Sequence, residues 1–184
     1  EIIDTQIFDL AGEKIRKNSS FCSFFSRMRR GYLYTTALEQ GYNKVALGHH
    51  LDDAMESYFM NLFYNGTMRT MPPIYKASNG LEVIRPLIFC RERQLRAFAD
   101  SNEIRVIGDE ACPGLRFDVK MPHARAATKE LLAKLEEQNP KIFVSMKAAF
   151  SNIQLPTFFY KDLKDIKLNI EDENIWEYWF RHAF

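Results

Sequence analysis

The chain has 184 residues, long enough for one domain with a packed core, and a formal net charge of +1. So near-neutral a balance provides no global attraction to nucleic acid, so any RNA contact must come from a local basic patch. No run of about 18 apolar residues predicts a membrane helix, and Glu1-Ile2-Ile3-Asp4 lacks the basic and apolar regions of a signal peptide.

In chain order, Ile2-Ile3 reads as the tail of a strand, and the polar stretch from Glu13 to Ser20 as a loop. A helix is expected from about Arg27, with Leu33, Tyr34, Ala37 and Leu38 at helical spacing and Gly41 ending it in the left-handed conformation. Lys44 to Gly48 is a short apolar run between breakers, predicting a buried strand. The next helix places Met55, Phe59, Leu62 and Phe63 on one face and stops at Asn65-Gly66. Met71-Pro72-Pro73 opens an extended loop, and Glu82 to Leu87 reads as a strand with Pro86 at its end.

Leu95, Phe98 and Ala99 mark a third helix, and Val106-Ile107 a short strand. Pro113-Gly114 is a turn. Met121, Ala124, Leu131 and Leu135 mark a long helix closed by Pro140. That proline can also start the next helix, with Ile142, Phe143, Met146 and Phe150 facing inward. The tail from Leu155 is aromatic and irregular; Trp176, Tyr178, Trp179 and Phe180 suit an apolar cover or a homodimer contact. Strands alternating with helices predict an α/β fold built on a parallel sheet, with helices at the C-terminal end.

The sharpest segment is Gly48-His49-His50-Leu51-Asp52-Asp53-Ala54-Met55-Glu56, between a predicted strand and a helix. Loops at the carboxyl ends of strands form the ligand crevice of open α/β sheets. Adjacent carboxylates there can hold Mg²⁺ and bridge it to phosphates. A structural role competes: Asp53 with Glu56 has the spacing of an acidic capping box, and Asp52 suits a helix N-terminus electrostatically. Arg27, Arg29 and Arg30 form a basic cluster suited either to phosphate or to a solvated helix face. Arg85, beside Ile84 and Leu87 at a strand end, points to an anion or an ion pair. The three cysteines, Cys22, Cys90 and Cys112, are odd in number and widely spaced, which predicts a reducing, cytoplasmic compartment rather than a disulfide framework. Cys90 is expected in the core.

Gly48 to Asp53, followed by Met60-Asn61-Leu62-Phe63-Tyr64-Asn65-Gly66 and Ile84-Arg85-Pro86-Leu87, resembles the signatures of PP-loop ATP pyrophosphatases. Cys22 to Gly31, Ala111-Cys112-Pro113-Gly114 and Lys120-Met121-Pro122 resemble the tRNA 2-thiocytidine synthetase type within them. The resemblance covers roughly residues 20 to 155. It implies an adenine-nucleotide α-hydrolase-like, Rossmann-like sheet at about residues 1–110 and a helical, irregular part at about 111–184, together one domain. It also implies ATP and Mg²⁺ as cofactors, tRNA and a sulfur donor as partners, and adenylation of a base carbonyl followed by sulfur transfer. Asp52, Asp53, His49 and His50 are then the catalytic candidates, and Gly48, Arg85, Arg29 and Arg30 the nucleotide-side candidates.

Two departures from the family stand out. The phosphate loop Ser-Gly-Gly-x-Asp-Ser is absent from these residues and the chain does not begin with Met, so a fragment, inactive alone and weak in ATP binding, is expected. The family's three thiolates for a [4Fe-4S] cluster match Cys22, Phe25 and Cys112, and Phe25 cannot ligate iron. A relative of tRNA lysidine synthetase, which needs no cysteines, and a non-catalytic nucleotide- or RNA-binding relative are the competing readings.

Overall fold

A computed structural model describes residues 5–7, 10, 21–107 and 123–154, without the side chains of Phe21, Cys22 and His123. Ile2-Ile3, the loop of 13–20, Pro113-Gly114, Met121, Cys112 and the aromatic tail lie outside the described residues. The chain divides into two compact units, Glu1–Lys147 and Ala148–Phe184, and nearly everything described belongs to the first.

Helix α1 spans Phe21–Glu39, starting some six residues before the expected Arg27. Cys22 to Ser26 has no helix breaker, so the helix extends back through it. Gly41 follows with φ 78°, as expected of a helix end. Strand β1, Lys44–Ala46, is shorter than its apolar run and is not buried throughout: Val45 is buried, while Lys44 and Ala46 are exposed on the opposite face. Helix α2, Leu51–Asn65, ends as expected at Gly66, with φ 61°.

The burial of α2 departs from its periodicity. Its first turns, Leu51, Ala54, Met55 and Glu56, are buried, whereas Phe63 is exposed. Helix α4, His123–Gln138, packs against α2. Met55 at the inner end is fully enclosed, contributing about 1.5–3 kcal/mol by transfer from water.

Strand β2, Ile74–Lys76, falls inside the expected loop, and β3 covers Glu82–Ile84. The order is β1-β3-β2, with β1 and β3 parallel and β2 antiparallel to β3, so the sheet is mixed rather than parallel. The β2–β3 hairpin turns at Ala77–Gly80, where Asn79 Oδ1 accepts from the Leu81 N–H at 3.3 Å, giving antiparallel strands a short connection. Strand β3 stops before Leu87: the Arg85 N–H still donates to Pro73 O at 2.7 Å, but Pro86 has none to give and a turn begins. On one side of the sheet Ala37, Val45 and Leu81 form a core cluster, flanked by Tyr34, Leu47 and Ala77.

Helix α3 is Glu92–Ser101. Val106 and Ile107 form no strand and are 68% and 79% exposed, because no described strand runs beside them. Helix α4 is followed by α5, Ile142–Ala149, whose Phe143 is buried. Pro140 sits in the turn rather than at the start of α5. Asn139 makes the junction, its carbonyl accepting from the Ile142 N–H at 2.9 Å and its side chain from the Lys141 N–H at 3.1 Å.

Candidate nucleotide site

The parallel pair β1–β3 sets the geometry. Ala46 is opposite Ile84, and the Leu47 N–H donates to Ile84 O at 2.9 Å. The chain therefore leaves both strands at the same sheet end, carrying Gly48 to Asp53 from β1 and Arg85 from β3. Among the described residues a Cβ on Gly48 would meet nothing within 4 Å, so no packing there calls for glycine.

His50 is the N-cap of α2. Its Nδ1 accepts from the Asp53 N–H at 3.4 Å, and Asp53 Oδ2 accepts from the His50 N–H at 3.1 Å. The capping box thus runs from His50 to Asp53 and not, as the spacing suggested, from Asp53 to Glu56. Nε2 of the same ring lies 3.4 Å from Asp53 Oδ2. The Leu51 N–H, which has no acceptor within the helix, donates to Cys90 O at 2.8 Å. Cys90 is a half-buried free thiol, not fully enclosed in the core.

Both aspartates are held by arginines that the motif does not contain. Asp52 accepts from Arg91 Nε at 3.1 and 3.2 Å and, through Oδ2, from the Glu92 N–H at 2.7 Å, capping α3. The remaining arms of Arg91 donate to Glu136 at 2.6 and 2.8 Å, and its guanidinium lies 3.4 Å from the Phe143 ring centroid. The bonds from Glu136 raise the Arg91 pKa against the effect of burial, with Asp52 adding to them, and Arg91 holds the Glu136 carboxyl below its usual range. Arg125 Nη2 reaches Asp53 Oδ1 at 2.8 Å and its Nε reaches the buried Glu56 at 2.8 Å.

These contacts decide what the carboxylates can do. They face different cations, and among the described residues no group of three or more His, Cys, Asp or Glu is arranged to hold a metal ion. The donor set as folded does not fit a magnesium ion shared by Asp52 and Asp53.

His49 points elsewhere. Its Nδ1 is buried and has no hydrogen-bond partner among the described residues, and burial, then the charge of Arg85, holds its pKa below the usual 6.5. Arg85 is buried; Nη1 donates to Pro72 O at 2.6 Å, the guanidinium lies 5.3 Å from the Tyr75 ring centroid, and Nε has no partner among the described residues. The Tyr75 hydroxyl is 2.9 Å from that of Tyr34, whose pKa burial and Tyr75 push up to about 12. Arg29 and Arg30 are exposed on α1, with Arg30 in electrostatic reach of Tyr34. Phe25 is half-buried on the same helix.

The site therefore gathers Gly48, His49, His50, Asp52, Asp53 and Arg85 at one sheet end. Sequence reasoning missed Arg91, Arg125, Glu136 and the Tyr34–Tyr75 pair. Arg91 is 39 residues from Asp52 and Arg125 is 72 from Asp53, so no local spacing signals them.

Residues 11–120 match the PP-loop domain family. Among the relatives is a tRNA-cytidine(32) 2-sulfurtransferase of Geobacter metallireducens, 42% identical over 152 residues, covering 82% of this chain and 57% of that one. Another, from Coxiella burnetii, is 38% identical over 155 residues, covering 84% and 59%. The chain thus spans a little over half the length of these relatives. In structure it is similar to the U34-tRNA thiolase NcsA from Methanococcus maripaludis, solved with its [4Fe-4S] cluster: TM-score 0.61, 20% identity, covering 88% of this chain and 51% of that one. That likeness shows the fold, an α/β fold of the adenine-nucleotide α-hydrolase-like kind. With the family match extending over more than half of its residues, the chain belongs to the PP-loop domain family.

Proposed function

We propose that this chain is part of a single-domain tRNA sulfurtransferase that activates a cytidine carbonyl with ATP and replaces its oxygen with sulfur. The observation that carries the reading is the convergence of Gly48 to Asp53 and Arg85 at the carboxyl end of the β1–β3 pair, where open α/β folds take nucleotides. The names of the relatives support tRNA as partner and thiolation as the reaction.

Membership of the family implies ATP and magnesium. Mg²⁺, when bound, neutralises phosphate charge, and Asp52 and Asp53 are already paired with arginines. The roles assigned to this chain's own residues are positional. His50 and Asp53 fix the first turn of α2, and Asp52 ties that turn to α3. Gly48 leaves room for the nucleotide to approach the backbone. His49 and Arg85 meet its phosphates, with Arg29 and Arg30 beyond them. A three-thiolate cluster does not fit the set Cys22, Phe25 and Cys112, which offers two thiolates; sulfur handling falls to Cys22 and Cys112 without it.

A sulfur donor, a cytoplasmic location and a homodimer belong to the same proposal. Among the described residues no helix is long and apolar enough to cross a membrane.

The test is a chimera in which this chain replaces the matching segment of the Geobacter metallireducens relative. Thiolated cytidine, measured by mass spectrometry of digested tRNA, is the expected product, and an H49A chimera makes little. A chimera that folds, shown by circular dichroism, yet neither adenylates nor thiolates tRNA refutes the proposal. Phe25 supports a second reading, a nucleotide- or RNA-binding relative without chemistry, and a folded chimera that binds tRNA but leaves it unmodified favours it.

A further inference from the structure

Where α2 gives way to the loop after it, three large apolar side chains are exposed within a short stretch: Phe63, Tyr64 and Met68, at 55%, 58% and 56%. Single exposed apolar residues are ordinary, but a cluster marks a docking surface. The stretch is tied down. Asn61 Nδ2 donates to Arg69 O at 3.1 Å, Asn65 Nδ2 to Asn61 Oδ1 at 3.0 Å, and Thr70 Oγ1 to Ala54 O at 2.6 Å. The loop is thus folded back along α2, with its polar groups engaged by the helix and the rings left to solvent. Phe63 also rests on Phe59, their centroids 5.4 Å apart, which steadies the ring.

The charge around these rings indicates the partner. Residues 57–81 contain no Asp or Glu, and their only charges are Arg69 and Lys76. Residues 21–38 of α1 contain no acid either, and add Arg27, Arg29 and Arg30. The two stretches adjoin, since the Tyr34 hydroxyl of α1 lies 2.9 Å from that of Tyr75 on β2. All five cations are exposed, and among the described residues none of them meets a carboxylate. Elsewhere cations are answered: Arg93, Arg96, Arg125, Lys129 and Lys134 each reach one. A chain of net charge +1 therefore concentrates uncompensated positive charge on these adjoining segments, and such a field draws in a polyanion. Flat rings beside free cations suit RNA with unstacked bases: the rings take the base faces and the cations follow the backbone.

We infer that Phe63 and Tyr64 form a stacking platform for the bases of a single-stranded RNA loop, with Arg69 and Lys76 on its backbone and Arg27 further along it. The inference rests on the reading of tRNA as partner and adds where on this chain the RNA lies.

The experiment measures, by fluorescence anisotropy, binding of the chain to a labelled RNA hairpin with a single-stranded loop, beside a blunt duplex of the same stem. F63L and Y64L keep the apolar bulk and lose the flat ring. Each is expected to weaken hairpin binding about 5- to 100-fold, the contribution of one stacked base, and to leave duplex binding unchanged. Y64F keeps the ring and binds like the parent chain. R69A and K76A each lower the slope of log affinity against log salt by about 0.7. F98L, at an equally exposed ring on α3, changes nothing. Leucine variants that bind the hairpin as tightly as the parent overturn the platform, as does a parent chain with no preference for hairpin over duplex. Self-association in sedimentation velocity that F63S abolishes while hairpin binding persists assigns the face to a second copy and overturns the RNA platform. The platform stands if ring-dependent hairpin binding survives in a chimera that does not thiolate. Thiolation by an F63L/Y64L chimera at an unchanged KM for tRNA refutes the platform and leaves the sulfurtransferase reading intact.

Discussion

Replacing Arg91 with methionine tests whether one side chain ties the motif turn to the helices behind it. R91M keeps an apolar stem over Phe143 and removes five donors. Asp52 then loses its bonds at 3.1 and 3.2 Å, and Glu136 those at 2.6 and 2.8 Å. Side-chain exposures are 12% for Arg91, 15% for Asp52 and 24% for Glu136, nearer a buried pair than a surface one. Surface pairs contribute about 0–1 kcal/mol, and removing one partner of a buried pair costs about 3–5. Partial solvation of the two carboxylates places R91M between these limits, at about 2–4 kcal/mol. For a domain of this size that lowers the urea midpoint by about 1–2 M with an unchanged slope. R91K restores the charge without the fork and recovers part of the loss. In a double-mutant cycle with E136Q, coupling of about 1–3 kcal/mol is expected from groups in direct contact. A loss under about 0.5 kcal/mol for R91M, or no coupling to Glu136, refutes the reasoning.

The remaining predictions concern pH and local geometry. The Glu136 carboxyl is depressed by Arg91, and that of Glu92 by Lys129 and Arg96 despite burial. Groups with lowered folded pKa values stabilise above their ordinary 4.5 and lose that contribution as pH falls through it, so the urea midpoint should drop on acidification below about pH 5. A rise in stability over that range refutes the pairing. Without added anion, His49 should titrate below 6.5 in an imidazole NMR titration, and its protonation weakens the fold as pH drops from there; titration at or above 6.5 contradicts its burial beside Arg85. Gly66, at φ 61°, ends α2, so G66A should cost about 1 kcal/mol in thermal or urea unfolding and G66N less, since asparagine tolerates this conformation. D53A removes the α2 capping box and the Arg125 bridge, and a loss of about 1–2 kcal/mol is expected; an unchanged melting temperature means that the cap contributes nothing.

Local information determined much of the chain. Helix ends at Gly41 and Gly66 follow from glycine's freedom to turn left-handed, and the strand–turn–helix order around Gly48 to Asp53 follows from an apolar run meeting capping residues. The same run of motifs marked the family, because it is a property of residue order. What lay beyond local reach was decided by the tertiary structure. The sheet is mixed because β2 folds back through a hairpin within an apparently extended loop, and pairing with β3 outweighs its weak local signal. Phe63, at the outer end of the α2 apolar stripe, stays exposed because burial depends on which helices arrive to cover it. Asp52 and Asp53 read as a metal pair beside each other in sequence. In space Arg91 and Arg125, brought in from α3 and α4, draw them apart, because charge finds its partner by distance through the fold and not by spacing along the chain.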